Sequence, residues 1–283
     1  MNWKFKALIF KTLSVIPFGS KLHYQLQRHV QKTWPRSDET INVLCEHAKK
    51  TLEIFSKYST TPVENAIFLE IGGGRDLVVP VALRMLGVKH LVSVDVERLA
   101  NLDLVNHSAK VLADILGCER PHFDSWEALR EYGVEYRAPF FLDKDRSELR
   151  YDVFMSNEVL EHIPKAQLEN IISSASDFMT SEGLYIHAVD YSDHYARDCG
   201  VSRYNFLQYS VEKWKKYNSK TQFVNRLRHA ETVGIFLESG LEVLEENVYS
   251  ETIPAAILEN LAEDFVQHSP DDLKILRSRI VAR

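Results

Sequence analysis

Apolar residues in this 283-residue chain fall into two kinds of run. Short continuous runs at 66–69, 90–94, 151–156 and 184–189 show no helical period and read as strands buried on both faces. Between them the period changes. Ile41, Leu44, Cys45, Ala48, Leu52 and Phe55 form the apolar stripe of a helix over 40–58, entered through the capping residues Ser37, Asp38 and Glu39. Helices are predicted over 77–86, 97–116 and 125–131, each followed by a glycine that stops it. Leu168, Ile171, Ile172, Ala175 and Phe178 give the face of another, starting near Lys165, and 225–239 gives one more before Gly240. Residues 134–137, 241–248 and 275–282 read as further strands, and 254–268 as helical. Strands alternating with helices predict a doubly wound, mostly parallel sheet. Residues 191–224 fit neither period, and an excursion of that length in a compact fold is usually functional.

The chemistry concentrates where the first strand ends. Ala66-Ile67-Phe68-Leu69-Glu70-Ile71 runs directly into Gly72-Gly73-Gly74, then Arg75-Asp76 and the next helix. Glycines there allow a tight turn and let backbone N–H groups approach a ligand with no Cβ in the way. The second strand ends in Asp95, 25 residues after Glu70. A carboxylate at that point is placed to accept hydrogen bonds from two ribose hydroxyls, so the βαβ unit reads as nucleoside-binding. The dehydrogenase pattern G-x-G-x-x-G is not met, because its last position is Leu77.

The acidic-x-Gly-x-Gly pattern of Glu70, Gly72 and Gly74 resembles the first motif of the class I S-adenosylmethionine (SAM) dependent methyltransferases, in which the next motif glycine is Asp76 here. Tyr151-Asp152-Val153-Phe154-Met155-Ser156-Asn157-Glu158-Val159-Leu160-Glu161-His162-Ile163-Pro164 resembles the fourth strand and following turn of the small-molecule members. Ser181-Glu182-Gly183-Leu184 follows where they carry a glycine turn into strand five. The resemblance covers residues 60–250. It implies an α/β, Rossmann-like seven-stranded sheet of order 3-2-1-4-5-7-6 with helices on both faces and strand seven antiparallel. It also implies SAM as cofactor and methyl transfer to an oxygen or nitrogen of a small-molecule acceptor. Residues 1–60 would be a helical N-terminal extension or lid, and 61–283 the methyltransferase domain, with an acceptor-binding insertion at 190–229.

Under that resemblance Glu70 faces the positively charged amino-acid part of SAM, the alternative being a charge partner for the helix N-terminus. Gly72, Gly73 and Gly74 give the close backbone approach, Asp95 holds the ribose, and Ala138 and its neighbours sit over the adenine. Asn157 and Glu158 line the methionine or acceptor side, or else cap the following helix. A base is needed only for an acceptor still protonated at neutral pH. His194 is the candidate, with Asp193 second, because they follow strand five directly and a neighbouring carboxylate holds an imidazole in a fixed tautomer. His162 reads as structural more than catalytic. Arg226, Arg228 and His229 are expected either to grip an anionic acceptor or to form a solvated basic face. The aromatic residues of 190–229, together with residues 1–36, are expected to roof the cleft.

Composition narrows the alternatives. Cys45, Cys118 and Cys199 are isolated, which argues against a disulfide framework or a zinc site, so no metal ligands are expected and a reducing, cytoplasmic setting is. Net charge is −6, yet residues 1–37 carry seven cations and no acid, leaving 27 Lys/Arg against 40 Asp/Glu in the remainder. That acidic body disfavours nucleic acid as substrate. The basic start, with Trp3, Ala7, Phe10 and Ser14 on one face, reads as a helix packed on the core or, alternatively, as a weak contact with an anionic membrane surface. Two rival functions remain: a catalytically silent SAM-binding scaffold, and an aminopropyl transferase of spermidine-synthase type. The latter should carry an acidic pair after strand four, where Ser156-Asn157-Glu158 stands.

Overall fold

The computed structural model describes residues 2–16, 24–25, 28–29, 33–142, 144–145, 148–220 and 222–283. The stretch Pro17-Phe18-Gly19-Ser20, where the sequence pattern ends the first helical piece, lies outside the described residues.

Seven strands form one sheet in the order β3-β2-β1-β4-β5-β7-β6. They are β1 Ile67–Ile71, β2 His90–Val94, β3 Val134–Arg137, β4 Tyr151–Asn157, β5 Met179–Asp190, β6 Val243–Ser250 and β7 Ile275–Ala282. The first five pair in parallel, while β7 runs antiparallel between β5 and β6. This is the order and the hand of pairing that the sequence resemblance implies. β1 lies between β2 and β4, with Glu70 opposite Ser93 on one side and Met155 on the other. The glycine turn anticipated at Ser181-Glu182-Gly183 falls inside β5, where the register against β4 shifts between Tyr151 and Val153. Gly183 is needed there because a Cβ would come within 2.7 Å of the Met179 side chain.

Alternate residues of β1 serve opposite faces, as strand geometry requires. Phe68 packs with Phe55, Val81, Leu91 and Leu112 in one core, and Leu69 packs with Phe154, Ile172 and Phe236 in another. Helices α2 (Asp38–Tyr58), α3 (Val78–Met85) and α4 (Leu102–Leu116) supply the first core, and α6 (Lys165–Ala175) and α7 (His229–Glu238) the second. Helix α5 (Trp126–Tyr132) leads into β3. Ser37 caps α2 by accepting from the Thr40 N–H at 3.3 Å. Several elements are shorter than their sequence pattern. Helix α4 starts at Leu102 rather than 97, because Asn101 caps it. Helix α7 starts at His229 rather than 225, and only Ala255–Leu258 and Pro270–Leu273 are α-helical in the stretch after β6.

Helix α1 (Trp3–Val15) belongs to a third core. Its Trp3 ring lies 4.6 Å from Tyr217, 5.3 Å from Tyr195, 5.4 Å from Tyr209 and 5.9 Å from Trp214, ring centre to ring centre. Ala7, Phe10 and Leu13 complete that face against Phe206, Ile257, Phe265 and Leu273. Helix α1 thus packs one face on the third core, while its outer face leaves Phe5, Leu8 and Val15 exposed. No helix among the described residues is long and apolar enough to cross a membrane.

Candidate functional site

Three sequence-adjacent features make the turn after β1. Gly72 and Gly74 adopt φ of 76° and 74°, in the left-handed region that glycine enters freely, and Leu77 at 46° enters α3 from the same region. Gly73 is required sterically: a Cβ would fall 2.1 Å from Ser93 Oγ and 2.6 Å from Glu70 Oε2. Beneath it the Ser93 hydroxyl donates to Glu70 at 2.8 Å, and both residues are buried. Burial pushes the Glu70 carboxyl up to about 8, with Asp95 and Asp76 raising it further against the Ser93 bond. Asp76, where the motif has a glycine, is itself buried and accepts from Arg36 Nε at 2.8 Å, so the segment before α2 is clasped to the turn. Pro80 stands third in α3, where no intrahelical N–H is lost.

Asp95, at the end of β2, faces the Gly74 N–H and accepts from the Tyr136 hydroxyl at 3.4 Å. Burial pushes it up to about 7, against those two hydrogen bonds and the Arg75 charge. It lines a cavity of about 340 Å³ whose wall includes Gly72, Val96, Phe140, Phe141, Val159 and His162. That volume lies in the range of small-ligand pockets. The cavity opens beyond the carboxyl ends of the parallel strands, where ligands of such sheets bind.

The other expected residues, Asn157, Glu158, Asp193 and His194 among them, do not line this cavity. Ala138 is absent from its wall; its carbonyl accepts from Arg98 at 3.4 Å, and Phe140, Phe141 and Leu142, two to four residues on, line the cavity. Asn157 Oδ1 lies 3.3 Å from His47 Nδ1 on α2, a partner that no motif signals. Glu158 takes φ of 53° and pairs with Arg197 at 3.2 Å. Asp193 is buried and occupied, accepting from Tyr195 N and Asn205 Nδ2, both at 2.8 Å. Burial pushes it up to about 6.

His194 leans over His162, with ring centres 4.9 Å apart and the planes inclined at 62°. Its Nε2 stands 3.7 Å from Asp190 Oδ2, so the neighbouring carboxylate is Asp190 rather than Asp193. Burial, with His162 and Arg197 nearby, lowers its basicity to about 4. His162 Nδ1 donates to the Phe223 carbonyl at 2.6 Å, which leaves Nε2 as the nitrogen with a lone pair.

Arg226 and Arg228 correct the anion-gripping expectation. Arg226 donates to the Phe206 and Tyr209 carbonyls with its guanidinium against the Trp214 and Phe265 rings. Arg228 is fully buried and donates to the carbonyls of Tyr191, Leu273 and Ile275. Arg226 fastens backbone of the third core, and Arg228 ties backbone of the second core to the third. Tyr195, Tyr204, Phe206 and Trp214 are buried in that same core and line no part of the 340 Å³ cavity.

No family model and no curated protein matches this chain. Among solved structures it is similar to the magnesium protoporphyrin IX methyltransferase from Synechocystis PCC 6803 with bound SAH, at 12% identity and a TM-score of 0.51, covering 98% of this chain and 99% of that one. A SAM-dependent methyltransferase from Clostridium acetobutylicum ATCC 824 follows at 9% identity and a TM-score of 0.46, covering 93% and 98%. At these identities the likeness is one of fold. The fold is the seven-stranded Rossmann-like sheet of the SAM-dependent methyltransferases.

Proposed function

We propose that this chain binds SAM across the carboxyl ends of β1 and β2 and directs its methyl group to an oxygen or nitrogen of a small-molecule acceptor. The observation that carries the reading is one continuous cavity. It joins the glycine turn and the Asp95 carboxylate to His162 after β4, so a nucleoside and a second reactant share a wall. When bound, SAM supplies an activated methyl group on a sulfonium centre. The residues present fit it: a turn in which a Cβ at Gly72 would strike Val159 at 2.6 Å, a strand-end carboxylate, and an apolar wall at Phe140 and Phe141.

In this reading Asp95 holds the ribose hydroxyls, and Val96, Phe140 and Phe141 flank the base. The backbone of Gly72–Gly74 approaches the amino-acid portion, the Gly72 N–H itself donating to the Val94 carbonyl at 2.9 Å and the Gly74 N–H facing Asp95. Glu70 lies under that turn and answers the ligand's positive charge through it. The protein's work is alignment and exclusion of water, because a sulfonium already carries a good leaving group. Asn157, Glu158 and His194 belong to the acceptor side, at the ends of β4 and β5.

Calorimetric titration with SAM, SAH and NAD tests this. SAM and SAH should bind and raise the melting temperature, by about 2.7 kcal/mol of added stability at 100 times the dissociation constant, while NAD should not. Binding of NAD without SAM would overturn the reading.

A further inference from the structure

Alignment alone needs no buried carboxylate on the acceptor side, yet one is there. Glu161 is 3% exposed, and neither carboxylate oxygen has a side-chain hydrogen-bond partner, the nearest donors being the backbone N–H groups of Glu161 and Asp190. A buried carboxylate without a counter-charge costs several kcal/mol, so such a group either holds a proton or is met by a cation. The nearby cations are committed elsewhere: Arg197 pairs with Asp190 at 2.7 Å and with Glu158 at 3.2 Å, and Arg277 lies 3.9 Å from Glu158. Beside Glu161 stand His162 and His194, and one donor atom from each of the three lies within 4.8 Å of the others. His194 Nε2 likewise has no hydrogen-bond partner.

We propose that Glu161, His162 and His194 bind a divalent transition-metal ion, which takes a hydroxyl of the acceptor as a further ligand.

The geometry and the donor set agree on this. Donors sharing one ion tetrahedrally at about 2.1 Å lie about 3.4 Å apart, so the cluster closes around an ion by shifts of up to about 1.4 Å. Two imidazoles and one carboxylate suit zinc, iron, cobalt or manganese, whereas magnesium and calcium prefer all-oxygen shells. The Phe223 carbonyl on His162 Nδ1 is the outer contact that orients a ligating imidazole and leaves Nε2 for the ion. The three residues come from the turn after β4 and the loop after β5, both at the ligand end of the sheet. His162 is also exposed to the cavity that holds Asp95, so an ion there keeps an open side toward the proposed methyl donor. Three protein ligands and an open side describe a catalytic site rather than a structural one.

This inference rests on the methyltransferase reading for its chemistry, and it narrows the acceptor to a hydroxyl compound. The ion lowers the hydroxyl's pKa, and the proton leaves to solvent water. The oxygen then forms the O–C bond to the methyl as the C–S pair passes to sulfur, leaving a neutral thioether and an unchanged metal oxidation state. His194 acts as a ligand in this scheme, not as the base.

The test uses chelator-treated full-length protein titrated with Co²⁺, read by visible absorption, and with Zn²⁺, Mn²⁺ and Mg²⁺ by calorimetry. SAH affinity is measured on the same samples. One Co²⁺ per chain is expected, with Zn²⁺ or Mn²⁺ competing and Mg²⁺ not. Glu161→Gln and His194→Ala should each weaken the ion by about 100-fold or more, a ligand being worth at least as much as its outer contacts, with SAH affinity unchanged. Absence of saturable Co²⁺ binding, or binding unaltered in both variants, overturns the proposal. If His194→Ala does not fold, Glu161→Gln decides, since its carboxylate has no side-chain hydrogen bond to lose. Co²⁺ binding without SAH binding would remove the methyltransferase reading and leave the metal site. SAH binding without Co²⁺ would remove the metal site alone.

Discussion

Glu70→Gln isolates one buried carboxyl whose behaviour is set by its surroundings. In the native state burial lifts it from 4.5 to about 8. The native protein therefore keeps a proton that the unfolded chain has released between those two values. The stability this represents is complete below pH 4.5 and is lost as pH rises through about 8. At about 1.4 kcal/mol for each tenfold change, the lost stability between pH 5 and pH 9 is about 4 kcal/mol from this group alone. Glutamine keeps the shape and can accept from Ser93, but it has no proton to lose. Urea denaturation of both proteins from pH 5 to pH 9 measures the effect. The wild type should fall relative to Glu70→Gln across the window, the two converging toward acid pH. Subtracting the variant removes the contributions of Asp95 and Glu161, which the two proteins share. A cation placed over the turn should reverse the trend, so saturating SAM should flatten the wild-type curve. Parallel pH profiles for the two proteins would refute the reasoning, because they would mean that Glu70 is solvated or already paired.

Asp95→Ala should weaken SAH binding by about 1.5–3 kcal/mol, the scale of hydrogen bonds to a charged group, in a protein that still folds; unchanged calorimetric affinity would remove Asp95 from the site. SAM affinity in the wild type should rise with pH between 6 and 8.5, because Asp95 at about 7 must lose a proton to accept from both ribose hydroxyls and Glu70 at about 8 must lose one to answer the ligand's cation; a flat calorimetric profile would contradict this. Gly73→Ala should cost about 1–3 kcal/mol of stability in denaturant melts, since the new methyl overlaps Ser93 and Glu70. Trp3→Ala should cost about 3–5 kcal/mol by the same assay, as Trp3 packs against four aromatic rings.

The parallel sheet and its glycine turn were legible in the chain, because each rests on a local rule. Continuous apolar runs have to be buried on both faces, and glycines directly after a strand permit the tight, positive-φ turn that other residues resist. Asp95 was found the same way, as the polar end of an apolar strand. The acceptor side was not legible. The carboxylate beside His194 is Asp190, not the adjacent Asp193, because the turn after β5 directs Asp193 inward to Asn205 and Tyr195 N. The aromatic residues of 190–229 looked like a pocket lining by composition. Packing made them the core under α1, since Trp3 and Phe10 present an apolar face that has to be covered. Arg226 and Arg228 looked like anion ligands and proved to hold backbone carbonyls in a region with little regular hydrogen bonding of its own. Glu161 and His162 were visible as a sequence pair, but their meeting with His194 depends on β4 and β5 lying side by side. Local period and turn chemistry decide which segments are strands and where the chain turns. Only the sheet order decides which turns meet, and that is why the glycine turn and Asp95 were written in the sequence and the meeting of Glu161, His162 and His194 in the fold.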